Sequence, residues 1–266
     1  MLYQAFFFLV ALLTGVTSWS FDHSHALWDQ ILKKNVVLIR GGQASRFKYG
    51  QVNRQKLEKY INASLAVKKV EFDQWNKNQQ LAYFFNLYNA LTIKLVLTKY
   101  PHLKSIKDLR EGFPFFRSPW KRKFFTLFGE KAYLDKIEHE LVRESHHYNE
   151  PRVHFAFNCA SVGCPALQKE AFVANRLDQQ LEHAVRLFLS DRERNRYNSQ
   201  KNTLEVSKIF DWYGDDFKKG KYGSLRNFFA QYAEELASHP SEVPAIKSKK
   251  WSLDFLPYDW SLNKAE

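Results

Sequence analysis

The stretch that organises the chain reads Arg152-Val153-His154-Phe155-Ala156-Phe157-Asn158-Cys159-Ala160-Ser161-Val162-Gly163-Cys164-Pro165. Large apolar side chains alternate with small or polar ones from residue 153 to residue 158, a pattern typical of a buried β-strand. Gly163 then breaks the pattern, and Pro165 can begin a helix. We therefore predict a strand that opens onto a turn, with a thiol between the strand end and a helix N-terminus. Backbone N–H groups at such a turn lower the pKa of a thiol and can stabilise an oxyanion.

Cys159 and Cys164 are the two cysteines of the chain, and three interpretations of them stay open. In the first, one of the two cysteines is a reactive nucleophile. In the second, both are inert core residues, and in the third they form a disulfide that closes a small loop. An oxidising compartment would favour the disulfide.

The first 20 residues predict a secretory signal peptide. An apolar run from Phe6 to Val16 contains no charged side chain and is too short for a comfortable transmembrane helix. Ser18 and Ser20 give the small-x-small pattern that precedes a cleavage site. Cleavage after Ser20 leaves 266 − 20 = 246 residues, which suits a single domain over residues 21–266. We expect a periplasmic or secreted protein, and an uncleaved membrane anchor is the alternative.

Composition indicates a globular protein with an anionic partner. Hydrophobic residues make up 45% and aromatic residues 16% of the chain, so a large core is available. The net charge of +12 favours lipid headgroups, cell-wall polymers, acidic peptides or nucleic acid. Because nucleic-acid-binding signatures are missing from a chain with a predicted secretory signal, we expect no nucleic-acid function. The expected partner is a peptide-like or anionic substrate, with association to the cell envelope.

The most apolar segment predicts a central helix from about Asn78 to Lys99, ending before Pro101. Apolar residues cover nearly its whole circumference, which is typical of a helix buried in the core. Asn86 and Asn89 are exceptions, three residues apart and therefore on one face. Buried amides must be hydrogen-bonded, so these side chains either bridge to loop backbone or point into a site.

Shorter elements surround this helix in the prediction. Helices are expected at 25–35, after Asn53, from 175, at 208–217 and at 225–237; a hairpin at 123–134; and strands at 204–206 and 251–263. Asp135-Lys136-Ile137-Glu138 has the spacing of a capping box at the start of a further helix. The expected fold class is α+β, a single domain with a central buried helix packed on a small, mainly antiparallel sheet.

Five ordered motifs between Trp75 and Asn263 resemble the domain-of-unknown-function 547 family. They are Trp75…Asn78…Leu81-Ala82-Tyr83-Phe84-Phe85-Asn86-Leu87-Tyr88-Asn89-Ala90-Leu91, Leu134-Asp135-Lys136-Ile137-Glu138-His139, the stretch around both cysteines extended to Pro151, Ile209-Phe210-Asp211-Trp212-Tyr213…Asp216-Phe217, and Tyr258-Asp259-Trp260-Ser261-Leu262-Asn263. The resemblance implies no settled reaction. It places an Ile-Glu-His element at Ile137-Glu138-His139 and a functional Cys at Cys159.

A Cys activated by a His is the catalytic pair that this chain can assemble. Cys159 is the expected nucleophile, His139 its base and Glu138 an orienting acid, although Glu138 also has a capping role available. His154 is the reserve base, but five residues of extended chain would place it about 17 Å from Cys159. If the pair forms, the pKa of Cys159 is lowered and that of His139 is raised.

Further candidates for the site come from the same motifs. Cys164 competes with Cys159 as nucleophile because it directly precedes Pro165. Asn158 and Asn89 are candidates for an oxyanion donor or the third position, and Asp259 is the rival acid. The order of His before Cys suggests a permuted papain-like or transglutaminase-like arrangement.

Two functions are therefore compared. The first is a periplasmic thiol-dependent hydrolase, or acyl or peptidyl transferase, acting on an amide or thioester. The alternative is a non-enzymatic secreted module that binds an anionic partner and has structural cysteines. We expect no metal and no cofactor, because the histidine pairs lack zinc-site spacing and no phosphate-binding or dinucleotide motif is present.

Overall fold

The computed structural model describes residues 20–110, 118–218 and 220–265. The predicted signal peptide up to residue 19 and most of the aromatic, proline-punctuated segment at 113–120 lie outside the described residues. Within the described part of the chain, no helix is long and apolar enough to cross a membrane.

The central helix, α4, spans Lys77–Leu97, as the sequence predicts. Asn76 begins it with a capping box that it shares with Gln79. All but one of the residues from Gln80 onward are buried, because the apolar side chains surround the helix axis. α4 therefore forms the centre of the larger of two buried hydrophobic clusters.

The remaining elements are short. The other α-helices are α1 (Ala26–Asn35), α2 (Arg54–Leu65), α3 (Lys69–Phe72), α5 (Leu177–Leu189), α6 (Ile209–Tyr213), α7 (Leu225–Gln231), α8 (Ala233–Leu236) and α9 (Val243–Lys247). A π-helix spans Lys136–Arg143, and 3-10 helices span Arg40–Gly42, Tyr49–Gln51, Ile106–Leu109, Pro119–Lys121, Pro151–Phe155, Ala174–Arg176, Gly214–Lys218 and Pro240–Glu242. The strands are β1 (Val36–Ile39), β2 (Ala44–Phe47), β3 (Phe125–Leu127), β4 (Glu130–Ala132), β5 (Arg196–Asn198), β6 (Thr203–Ser207) and β7 (Ser252–Leu256).

The described strands form three small sheets where the sequence predicts one. β1 and β2 form an antiparallel pair, and so do β3 and β4, which confirms the predicted hairpin. β6 pairs with β5 antiparallel and with β7 parallel. The α+β class is therefore confirmed, while the predicted single sheet is replaced by three separate small sheets.

Two clusters of buried hydrophobic residues make up the core. The larger surrounds α4 and includes α1, α2 and the β3–β4 hairpin. The second collects side chains from the helices between α5 and α9 together with β6. Phe157 belongs to the first cluster and Phe155 to the second, so this segment of the chain passes between them.

The predicted strand at 153–158 is wrong. Pro151–Phe155 is a 3-10 helix with every residue buried, and Glu150 caps it by accepting a hydrogen bond from Arg152 N–H. No helix begins at Pro165, so the predicted helix N-terminus beside Cys164 is also wrong. The loop between the cysteines is held instead by the C-terminal segment: Val162 N–H donates to Ser261 O (2.9 Å) and Gly163 N–H to Asp259 O (2.9 Å).

Candidate functional site

A cavity of about 240 Å³ lies where the two core clusters meet. Its walls come from α4, the π-helix, the loop of the two cysteines, α6 and the C-terminal segment. Five residues singled out from the sequence line it: Glu138, His139, His154, Cys159 and Cys164. The motifs that are far apart in the chain are thus brought to one site.

Cys159 and Cys164 form a disulfide, and neither is a free thiol. This result favours structural cysteines over a Cys–His catalytic pair. The predicted thiolate of Cys159 and its ion pair with His139 are not formed in this state, because a disulfide sulfur carries no titrating proton.

The disulfide is surrounded by hydrogen-bond donors. Cys159 N–H donates to Cys164 Sγ over 2.9 Å. The Tyr258 hydroxyl lies 3.2 Å from each sulfur, and it donates to Cys164 Sγ. The Ser161 hydroxyl lies 3.1 Å from Cys159 Sγ and 2.9 Å from the Tyr258 oxygen. Burial raises the pKa of Tyr258, so this phenol stays a donor.

Gly163 allows Tyr258 to reach the sulfurs. A Cβ atom at residue 163 would lie 2.9 Å from the Tyr258 ring, closer than real Cβ atoms come, and 3.0 Å from Asp259 O, which is also tight. The glycine of the motif therefore serves close packing of the disulfide loop against the C-terminal segment.

Glu138 faces the cavity from the π-helix. Tyr88 O–H donates to Glu138 Oε2 (2.7 Å), and Trp120 Nε1–H donates to the Tyr88 oxygen (3.0 Å). Burial raises the pKa of Glu138. The predicted capping box does not form: the Asp135 side chain makes no capping hydrogen bond, and the Glu138 side chain is directed to Tyr88.

His139 lies beside Glu138, with its imidazole held by Arg143. Arg143 Nη1 is 3.0 Å from His139 Nδ1. A guanidinium can only donate, so Nδ1 is the acceptor and the ring proton is on Nε2. Asp135 Oδ1 lies 3.9 Å from that Nε2. Burial lowers the pKa of His139 in this oxidised state, and the raised value predicted for an ion pair with a Cys159 thiolate stays a prediction.

His154 is oriented by an acid that the sequence did not identify as part of the site. Its Nε2 lies 2.8 Å from Asp216 Oδ2, which also accepts from Arg143 Nε over 2.5 Å. The His154 ring stacks on Tyr213 with centroids 4.4 Å apart and planes 11° apart. Burial lowers the pKa of His154 against the attraction of Asp216.

The acid itself is strongly ionised. Burial disfavours the charge of Asp216, but the hydrogen bonds from His154 and Arg143 outweigh burial and lower its pKa to about 2. The quoted motif around residue 211 contains Asp216, so the residue type was visible, while its pairing with His154 was not. The 17 Å estimate for His154 and Cys159 assumed a strand that does not form, and both residues line the same cavity.

The remaining candidates support the site from outside the cavity. Asn89 Nδ2 donates to Ala156 O (2.9 Å), and Asn158 N–H donates to Asn89 Oδ1 (2.8 Å). Asn158 Nδ2 donates to Pro165 O (2.8 Å). The interpretation that Asn89 bridges to loop backbone is therefore confirmed. Asp259 is exposed, and its carboxylate accepts from Ser261 N–H (2.8 Å).

An aromatic face adjoins the disulfide. Trp212 is 40% exposed, and its ring centroid lies 5.0 Å from that of Tyr258 and 5.5 Å from that of Trp260. Lys107 Nζ lies 4.9 Å from the Trp260 centroid. The rings of Trp212, Tyr258 and Trp260 all line the cavity, and a cation lies over the last of them.

These features define an α+β protein with a disulfide-walled, aromatic cavity that contains buried acid and imidazole groups. Residues 72–189 match the family described as "Protein of unknown function, DUF547", which confirms the resemblance over α4, the π-helix, the disulfide loop and α5. The motifs around Trp212 and Trp260 lie beyond the matched residues. Neither a curated protein nor a solved structure matched the chain.

Proposed function

We propose that this protein is a secreted binding module whose cavity edge takes an anionic glycan of the cell envelope, and that this binding involves no chemistry at the two cysteines. The observation that carries the proposal is the aromatic face of Trp212, Tyr258 and Trp260, which rests directly on the disulfide. A cluster of aromatic rings offers an apolar surface with polar edges, which suits the faces of sugar rings.

The charge of the protein favours an anionic partner. The net charge of +12 attracts polyanions, and Lys107 over Trp260 places a cation at the aromatic face. The interior is different, because the carboxyl groups of Asp135 and Glu138 line it. The anionic groups of the partner would therefore contact the edge, and uncharged parts would enter. A disulfide suits the oxidising compartment that the predicted signal peptide implies.

Affinity electrophoresis in gels that contain dextran sulfate or uncharged dextran tests this proposal. We expect dextran sulfate to retard the oxidised protein, with retardation falling as salt increases. Trp212→Ala should weaken binding, while Val70→Ala, at an apolar site on α3 that is 72% exposed, should not. Equal retardation of the two variants would show that net charge alone causes binding.

A second candidate is the thiol-dependent hydrolase or transferase, acting after the disulfide is reduced. It is favoured because both sulfurs share a cavity with His139, Glu138 and His154. Iodoacetamide labelling of the reduced, folded protein over a pH series tests it. If His139 activates Cys159, His139→Ala should shift the labelling midpoint upward and His154→Ala should leave it in place. The opposite ranking would assign the base to His154, and no shift from either variant would remove this candidate.

A further inference from the structure

We propose that the Cys159–Cys164 disulfide is a thiol–disulfide exchange site, at which a dithiol attacks Cys159 from the cavity and Cys164 leaves as a thiolate. This inference does not depend on the glycan proposed above. It rests on the different surroundings of the two sulfurs.

Access favours attack at Cys159. This residue is half-buried, whereas Cys164 is only 7% exposed, and both contribute to the cavity wall. Thiolates reach disulfides by direct contact with one sulfur, so exposure helps to decide which one is attacked. The cavity thus offers Cys159 to an incoming thiolate.

Hydrogen bonding favours departure of Cys164. Its sulfur accepts from Cys159 N–H (2.9 Å) and from Tyr258 O–H (3.2 Å). These contacts are weak while the sulfur is neutral and become charge-assisted when it leaves as a thiolate. Cys159 Sγ lies near two hydroxyls, those of Ser161 (3.1 Å) and Tyr258 (3.2 Å), so the backbone N–H is the donor that distinguishes Cys164. Arg194 also donates to the backbone oxygen of Cys164, which holds the backbone of that residue in place. A better-stabilised leaving thiolate departs faster.

The exchange takes place in two steps, and together they conserve atoms and electrons. The thiolate of the dithiol forms a bond to Cys159 Sγ as the Cys159–Cys164 bond breaks, and the electron pair of that bond stays on Cys164. The second thiol of the reagent, as its thiolate, then attacks the mixed disulfide at the reagent's own sulfur. It releases Cys159 and closes the oxidised, cyclic dithiol. The protein gains two electrons and the dithiol loses them.

Peptide mapping after exposure of the oxidised, folded protein to glutathione tests which sulfur is attacked. Glutathione has one thiol, so a mixed disulfide can be trapped by acid quench and located by mass spectrometry. We expect the glutathione on Cys159. Trapping on Cys164, or equal trapping on both, would overturn the assignment.

The rate of reduction by dithiothreitol tests the role of the donors. Removing a hydrogen bond to a charged group costs about 1.5 to 3 kcal/mol, so Tyr258→Phe should slow reduction roughly tenfold or more. Tyr197→Phe is the matched control, because its hydroxyl donates to Asn202 and does not contact the sulfurs. Both variants are compared only if the oxidised form melts cooperatively.

Two results would contradict the proposal. Reduction of the unmodified protein at no more than its global unfolding rate would show that the disulfide is closed to reagents in the folded state. Equal rates for a folded Tyr258→Phe variant and the Tyr197→Phe control would show that the phenol does not assist departure. If Tyr258→Phe does not fold, the glutathione map of the unmodified protein still decides the site of attack.

Discussion

Replacement of Asn89 by leucine should destabilise the protein and loosen the disulfide loop. The Asn89 amide joins α4 to the backbone at Ala156 and Asn158, directly before Cys159. Leucine can replace neither hydrogen bond. Asn89→Leu therefore leaves one buried carbonyl and one buried N–H without their partner.

The expected loss follows from these two groups. Each unpaired buried polar group costs about 1 to 3 kcal/mol, or about 4 kcal/mol for the two at the middle of that range. Burial of the larger leucine side chain returns about 2 kcal/mol. The net loss of about 2 kcal/mol corresponds to a fall in Tm of roughly 4 to 8 °C for a chain of this size.

Asn86 provides a matched control on the same helix. Its amide makes the same pair of bonds to the backbone of Phe172, with Nδ2 donating to the oxygen (2.8 Å) and Oδ1 accepting from N–H (3.0 Å). Asn86→Leu should lower Tm by a similar amount. Only Asn89→Leu should also accelerate reduction of the disulfide by dithiothreitol, because Asn89 holds the segment that leads into Cys159.

Thermal melting and thiol release, measured on both variants, decide whether this reasoning holds. An unchanged Tm for Asn89→Leu would refute the claim that its bonds stabilise the fold. Equal acceleration of reduction in the two variants would refute the specific link to the disulfide loop and leave only a general loss of stability.

Three further outcomes are expected. Because the pKa of Glu138 is raised in the folded protein, ionisation of this carboxyl lowers the stability of the protein as pH rises through that pKa. Glu138→Gln should therefore increase the urea midpoint more at pH 8 than at pH 4. The pKa of Asp216 is lowered to about 2, which corresponds to about 2 kcal/mol of folding free energy. This stabilisation is present at neutral pH and is lost as pH falls from about 5 towards 2. Asp216→Asn should therefore destabilise the protein in urea at pH 7 and much less near pH 2. Mass spectrometry of protein exported by its native host should show cleavage after Ser20, and a retained first residue in the membrane fraction would contradict the predicted signal peptide.

The helices of this fold could be predicted because their signals are local. α4 shows as an almost unbroken apolar segment, and Asn53 caps α2 by accepting from Lys56 N–H, as its position before the helix predicts. The 3-10 helix at Pro151–Phe155 was misassigned for a physical reason. All five of its residues are buried, so alternation along the chain does not report which face meets solvent.

The sequence predicted several residues of the site but not the contacts between their side chains. Glu138 was given a possible capping role, but it lies with His139 on a π-helix and both residues line the cavity. Asp216 is 62 residues from His154 in the chain, and no local pattern encodes their contact. The disulfide was open as an alternative, because spacing alone does not separate a redox pair from two buried thiols.

The redox state of the two cysteines determines which chemistry this cavity can supply. In the oxidised form, burial raises the pKa of Glu138 and lowers that of His139, so both shifts favour uncharged groups inside. Such an interior suits an uncharged portion of a ligand, with anionic groups left at the edge beside Lys107. In the reduced form, the backbone N–H of Cys159 and the Tyr258 hydroxyl would remain directed at Cys164. Cys159 would then be the more exposed thiol, and any nucleophilic step would begin there.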